Sequence, residues 1–215
     1  MKLDYPKQFL EYEGKPLFLK SLMCAEESPY IKEIIIVTQK DNINYISEIC
    51  KKENLQKIKI IVEGGKKRQD SVYNALKKVS LDMDYVIIQD AVRPFCKEKY
   101  FKDCYDTLQA GYDGAVIGVS VKDTIKILDS ENLEENKILS TPKREKLFAA
   151  HTPQIFKKNI LEEAYKKAYE DNFYGTDDSS LVERLGFKVK AILGDYDNVK
   201  ITVPEDLKFL FRALP

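Results

Sequence analysis

Four short runs in this chain are apolar almost without interruption: EIIIVT (33 to 38), KIIV (59 to 62), YVIIQD (85 to 90) and GAVIGVS (114 to 120). A strand with one face in water alternates polar and apolar residues, so unbroken Ile and Val runs of this length predict strands covered on both faces. Between them lie stretches of helical period: NINYISEICKKEN (42 to 54), RQDSVYNALKKV (68 to 79) and KEKYFKDCYDTLQA (97 to 110). In the second of these Val72, Ala75, Leu76 and Val79 share one face. Parallel strands need a crossover connection, and helices on both faces are what cover such strands. The expectation is an α/β fold built on a doubly wound, mostly parallel sheet.

After residue 120 the rhythm changes. VKDTIKILDSENLEENKILSTPKREKLFAAHTPQIF (121 to 156) alternates polar and apolar residues around an acidic, asparagine-containing turn, which predicts antiparallel arms instead of another crossover unit. The α/β pattern then resumes with a helix over 158 to 170. GTDDSSLVERLG (175 to 186) offers Thr176 as N-cap and Gly186 as C-cap of another, KVKAIL is a strand, and VPEDLKFLFRAL starts a last helix with Pro204 in its first turn. No linker or repeat divides the sequence. A chain of 215 residues buries roughly 70% of its unfolded surface, so it is read as one domain, 1–215, with an inserted arm at about 121–150.

Charge narrows the partners. Thirty-five basic residues balance 35 acidic ones, so no general basic field is available for nucleic acid, and an anion site must be built locally. The four cysteines (Cys24, Cys50, Cys96, Cys104) form no C-x-x-C pair and there is one histidine, His151, which leaves no typical zinc set. They read as reduced thiols in a cytoplasmic protein. No secretory pattern opens the chain and no apolar run approaches the length of a membrane span.

Ligands of open α/β sheets gather at the carboxyl ends of the strands. EGGKKRQDSV (63 to 72) places Gly64, Gly65, two lysines and Arg68 ahead of a helix that carries Ser71, a combination of backbone N–H groups, helix N-terminus and positive charge that can cradle an anion. An ordinary glycine turn with solvated basic residues has the same composition. QDAVRPF (89 to 95) ends a buried strand with Asp90, three residues before Arg93; the carboxylate suits a magnesium ion or a sugar hydroxyl, or is a turn acid paired with the arginine. Asp123 in SVKDTIK and Lys200 in YDNVKIT are weaker taken singly, although DNVKIT falls where the chain should come back to the strand ends. His151, in AAHTPQ, has no cysteine or serine context and reads as a packed side chain.

Taken in order, YPKQF, GGKKRQDSV, DAVRPF, VKDTIK, AAHTPQIF, TDDSSLVE and DNVKITVPEDL resemble the 2-C-methyl-D-erythritol 4-phosphate cytidylyltransferase family over essentially the whole chain. DAVRP is shared with the related ribitol 5-phosphate cytidylyltransferases, whereas RQDSV, VKDTIK and TDDSSLVE look more like the erythritol enzymes. The resemblance implies a Rossmann-like nucleotidyltransferase fold and transfer of CMP from CTP to the sugar phosphate with Mg²⁺. It implies Lys7 and Lys200 as catalytic cations and Gly64, Gly65, Ser71, Asp90 and Ala91 as nucleotide-binding residues, with Asp90 also toward the metal. Arg93, Thr124, Arg144, Thr152 and Thr176 match the sugar-phosphate side, and Arg144, on the arm, matches an arginine that serves the neighbouring subunit of a homodimer. Alternatives are the ribitol 5-phosphate reaction and a catalytically silent nucleotide-binding or scaffold dimer. The second arises because the family's first strand and glycine-rich loop precede the PKQ segment, and Met1-Lys2 resembles only the last residues of that loop.

Overall fold

The computed structural model describes residues 7–132 and 135–212. Met1 and Lys2, to which the loop comparison refers, lie outside the described residues.

A small hairpin, β1 (Glu11–Tyr12) with β2 (Lys15–Pro16), turns at Glu13 and Gly14, both with positive φ, and leads into helix α1 (Leu17–Glu27). The runs read as covered strands follow: β3 (Ile34–Thr38), helix α2 (Ile43–Lys52), β4 (Ile58–Glu63), α3 (Arg68–Leu76), β5 (Tyr85–Ile88), α4 (Glu98–Gln109) and β6 (Gly114–Ser120). The arm is the short pair β7 (Ile127–Leu128) and β8 (Ile138–Ser140). A long strand β9 (Phe148–Lys157), helices α5 (Lys158–Glu170) and α6 (Asp178–Glu183), strand β10 (Val189–Leu193) and helix α7 (Leu207–Arg212) complete the chain.

Strands β10, β6, β9 and β5 form one sheet in that order, while β3 and β4 pair parallel to each other as a separate ribbon. Strand β9 is antiparallel to both β5 and β6, and β10 is parallel to β6, so the sheet is mixed around a majority direction. The alternating pattern that predicts the arm runs on through residue 156, beyond the arm's expected end at about 150, and the segment from Phe148 to Lys157 forms one strand. Its second half is central, with Thr152–Phe156 buried, and it returns the arm to the core. A second difference is α1, which carries no clean polar face and was not read as a helix; Leu17, Phe18, Leu19 and Leu22 are buried on it. A third is the cap of α6. Asp177, and not Thr176, is the N-cap, its side chain accepting from Ser180 N–H at 3.0 Å, and Gly186 closes a turn after the helix has ended at Glu183.

Alternation along the strands sorts the core into two layers. One face of the sheet carries Tyr85, Ile87, Ile117 and Ile155 against α4 and the end of α1. The other carries Val86, Ile88 and Phe156 against α3, α5 and α6, where Tyr165 and Leu161 are fully buried. A third cluster, with Phe9, Phe18, Leu19 and Ile46, covers β3 and β4. At about 1.5–3 kcal/mol for each fully buried large side chain, these layers are what make the helices persist. Among the described residues no helix is long and apolar enough to cross a membrane.

Candidate active site

The carboxyl ends of β3 and β5 and the loop before α7 converge on Asp90. Its backbone N–H donates to Thr152 Oγ1 at 3.0 Å, which ties the end of β5 to the neighbouring β9. Around the carboxylate stand Lys200 Nζ at 2.9 Å, Arg93 Nε at 3.6 Å and Arg68 Nε at 3.9 Å. Burial opposes ionisation of Asp90, but the Lys200 hydrogen bond and charge, with Arg68 and Arg93, outweigh it and hold the carboxyl below its ordinary range. Lys7 faces the same place. Burial and the nearby Lys200 charge hold its pKa below the ordinary lysine value, against the pull of Asp90 and Asp206. Two lysines and two arginines face Asp90, and even with Asp178 paired to Arg68 and Asp206 near Lys7 the cluster keeps an excess of positive charge, which an anion would relieve.

The supports of these cations are specific. Nη2 of Arg68 donates to Asp178 Oδ2 at 2.6 Å, and the Asp178 side chain, 1% exposed, also accepts from the Tyr165 hydroxyl. Arg93 is buried and donates through Nη1 to the Asn198 carbonyl at 2.6 Å, while Ser21 Oγ donates to the Arg93 carbonyl at 2.7 Å. Asn198, fully buried, donates through Nδ2 to the Thr152 carbonyl at 3.0 Å. The DNVK segment is thus sewn to β9 and to the loop after β5, and Lys200 is delivered to Asp90 by that stitch.

Beside the cluster is the turn before α3. Ser71 Oγ accepts from Gly65 N–H at 3.0 Å and donates to the Lys67 carbonyl at 3.1 Å, while Lys67 N–H donates to Asp70 Oδ2 at 3.0 Å. Both glycines are required by space. A Cβ on Gly65 would lie 2.2 Å from Asp70 Cβ, and one on Gly64 2.9 Å from Ser71 Oγ. Asp70 is fixed further by the Tyr169 hydroxyl, which donates to Oδ1 at 2.7 Å.

The structure therefore brings together Lys7, Asp90, Arg93, Thr152 and Lys200, with Gly64, Gly65, Ser71 and the exposed Ala91 along one flank. Thr124 and Thr176 are exposed loop residues, and Arg144 sits exposed on the arm, its Nη1 donating to the Lys122 carbonyl at 3.0 Å. Sequence reasoning counted Arg68 only as part of a basic loop and passed over Asp178, Asn198 and Ser21. The signal for Asp178 was present in TDDSS, where the first acid caps the helix and the second is free to turn inward. His151 is half-buried beside Arg93, its Nδ1 without a hydrogen-bond partner among the described residues, and burial followed by that charge pushes its pKa down to about 4. All four cysteines are free thiols, and burial pushes Cys104 up to about 12.

A carboxylate ringed by cations at the strand ends of a doubly wound sheet, flanked by a glycine turn at a helix N-terminus, is built to take a phosphorylated ligand, and the family this chain matches makes it a nucleotidyltransferase. Comparison with known proteins narrows the class. Residues 1–211 match the family described as IspD: 2-C-methyl-D-erythritol 4-phosphate cytidylyltransferase, and the chain belongs to that family. The protein of that name from Fusobacterium nucleatum is 53% identical over 211 residues, covering 98% of this chain and 89% of its own. Its counterpart from Caldanaerobacter subterraneus subsp. tengcongensis is 45% identical over 208 residues, 96% of this chain and 89% of its own. Among solved structures, the 4-diphosphocytidyl-2C-methyl-D-erythritol synthase of Anaerococcus prevotii superposes with a TM-score of 0.86 at 32% identity, covering 95% of this chain and 88% of that one. The Francisella tularensis enzyme gives a TM-score of 0.81 at 25% identity, over 97% and 93% of the two chains.

Proposed function

We propose that the chain transfers a cytidylyl group from CTP to 2-C-methyl-D-erythritol 4-phosphate and releases pyrophosphate. The observation that carries this reading is the convergence of Lys7, Lys200, Arg68 and Arg93 on Asp90 beside the Gly64–Gly65 turn. An oxygen of the sugar phosphate attacks the α-phosphorus of CTP, the new P–O–P bond forms, and the bond to the β-phosphate breaks as pyrophosphate leaves. The nucleophile is already ionised at neutral pH, so the protein has no proton to remove; its task is alignment and stabilisation of charge. Lys7 and Lys200 are the groups for that charge. Each gains in the transition state, because the crowding that depresses Lys7 is relieved by the growing negative charge between them.

Gly64, Gly65 and Ser71 line the cytidine, and Ala91 leaves room for base and ribose. Asp90 holds ribose hydroxyls or the metal-bound phosphates. Among the described residues no group of three metal-ligating side chains converges, so the chain provides no closed cage, which suits Mg²⁺ held by one carboxylate and the substrate's own phosphates. Asp90 fits that part, since Oδ2 is engaged by Lys200 at 2.9 Å while Oδ1 meets only the longer Arg68 approach among the described residues. When bound, the ion neutralises phosphate charge. Arg93 and Thr152 stand on the acceptor side, with Thr124 and Thr176 closing on it.

The arm supports a homodimer. Ile138 and Leu139 are 62% and 69% exposed on a two-strand ribbon that is marginal in water alone, so pairing with its twin gives both a partner and brings Arg144 to the second site. The four free thiols, three of them buried, are consistent with the cytoplasm. The ribitol 5-phosphate reading and the silent dimer are not favoured by the relatives. Pyrophosphate release from CTP with each acceptor decides: turnover with methylerythritol phosphate at least tenfold above ribitol 5-phosphate supports the assignment, and the reverse order overturns it.

A further inference from the structure

The segment after helix α5 carries Thr176 to the start of α6. Asn172, in the left-handed region at φ 52°, turns the chain out of the helix, and Phe173 N–H closes that turn on the Ala168 carbonyl at 2.8 Å. Beyond it the chain has little of its own to hold it. Residues 174–176 make no backbone–backbone hydrogen bond among the described residues, and Phe173, Tyr174 and Thr176 are exposed.

One side chain supplies what the backbone lacks. Gln69, in the first turn of α3 and 6% exposed, donates through Nε2 to the Phe173 carbonyl at 3.1 Å and accepts at Oε1 from Gly175 N–H at 2.9 Å. Its carboxamide acts as a peptide group would, pairing with the groups on either side of Tyr174. Glutamate has no donor for the carbonyl, and asparagine is one methylene short. Gly175 lets the chain settle close on α6, since a Cβ there would strike Ser180 Oγ and lie 2.8 Å from Leu181 Cδ2. Lys67 Nζ stands 3.5 Å from the centroid of the Tyr174 ring, a second tie to the turn before α3. Another buried glutamine fixes the far end of the loop. Gln154, on β9 two residues after Thr152, donates through Nε2 to Asp177 Oδ2 at 2.8 Å and accepts from Ser179 N–H at 3.2 Å. Asp178, next in the chain, holds the Arg68 guanidinium that faces Asp90. Thr176 is thus fixed between two glutamine clamps while its own side chain stays exposed.

We propose that Gln69 is a positioning residue for the acceptor: by setting the height of residues 173–176 over α3, it places the Thr176 hydroxyl toward the phosphate of the incoming sugar. The proposal rests on the cytidylyl-transfer reading above, in which Thr176 stands on the acceptor side. Burying a carboxamide is costly unless both of its ends are satisfied, and both ends of Gln69 go to this loop. Neither end meets the Gly64–Gly65 turn, so its loss reaches the acceptor and leaves the nucleotide alone. A hydrogen bond to a charged group corresponds to about 10- to 100-fold in affinity, which sets the size of the effect.

Steady-state kinetics of the full chain with CTP, Mg²⁺ and 2-C-methyl-D-erythritol 4-phosphate, together with amide exchange, test it in wild type, Q69M, Q69E, T176A and the Q69M/T176A double variant. Methionine keeps the length of glutamine and removes both hydrogen bonds. Q69M and T176A each raise the acceptor KM about 10- to 100-fold, with kcat and the KM for CTP within about twofold of wild type. Because Gln69 acts through Thr176, the double variant is no worse than T176A. Q69E, which keeps an acceptor and loses the donor, shifts the acceptor KM in the same direction and carries the test where Q69M loses its fold. The Gly175 amide exchanges at least about tenfold faster in Q69M, while Ser180, whose N–H is held by Asp177, is unchanged. An acceptor KM unchanged in Q69M, equal losses for CTP and acceptor, or effects that multiply in the double variant overturn the proposal. A wild-type chain that turns over no methylerythritol phosphate counts against the reaction instead, and unchanged Gly175 exchange in Q69M then overturns the hold of Gln69 on the loop.

Discussion

Replacing Asp90 by asparagine keeps the shape of the side chain and removes the one negative charge at the centre of the cation cluster. Its partners are Lys200 at 2.9 Å, Arg93 at 3.6 Å and Arg68 at 3.9 Å, and the Asp90 side chain is 16% exposed. A single such pair is worth about 4 kcal/mol at 4 Å in an effective dielectric of 20, most of which desolvation offsets. Removing one member of a buried pair costs about 3–5 kcal/mol; because the Lys200 and Arg68 side chains keep more than a third of their exposure, solvent screening reduces this to about 2–3 kcal/mol. For a chain of this size that lowers Tm by about 4–12 °C. Because the folded pKa of Asp90 lies below the ordinary value of 3.8, its contribution is present above that pH and lost as the pH falls through the folded value. Urea unfolding of wild type and D90N should therefore differ by a constant amount from pH 5 to 8 and converge in stronger acid. Equal stability at pH 7, or a difference that persists unchanged at pH 2, would refute the view that Asp90 holds these cations together as an ionised group.

Lys7→Ala and Lys200→Ala each lower turnover by about 10²–10³ fold, the loss that follows removal of one preorganised charge-stabilising donor, and near-normal kcat in either removes that lysine from the mechanism. His151, whose folded pKa is about 4 against an ordinary 6.5, contributes stability that is present above pH 6.5 and lost between 6.5 and 4; His151→Leu flattens that part of the pH–stability curve, which urea titrations at pH 7 and 5 measure. Gly65→Ala forces a Cβ to within 2.2 Å of Asp70 Cβ, so calorimetry should show CTP affinity falling by tenfold or more while acceptor affinity changes little.

The elements most legible in the sequence were those whose periodicity matched their burial. Ile34–Thr38, Tyr85–Ile88 and Gly114–Ser120 announce themselves because strands flanked by helices on both faces have no reason to alternate. Strand β4 reads the same way yet lies at an edge, with Ile60 40% exposed. What escaped was set by tertiary context. Leu17–Glu27 packs on two sides and so lacks an amphipathic stripe, and β9 shares its alternation with the arm that precedes it. In the candidate site, Asp90, Lys7 and Lys200 are named from motif positions, and the structure brings them together. Asp178 and Asn198 are not named, because a residue that orients another through a buried hydrogen bond leaves no local pattern.

The central claim is that CTP lies across the Gly64–Gly65 turn with its α-phosphate between Lys7 and Lys200. A crystal structure of the chain with CTP and Mg²⁺ tests it most directly. The account predicts α-phosphate oxygens within about 2.7–3.2 Å of both lysine Nζ atoms and the cytosine against Gly65 and Ser71. A triphosphate bound away from Asp90, with Lys7 and Lys200 still facing the carboxylate alone, would contradict it.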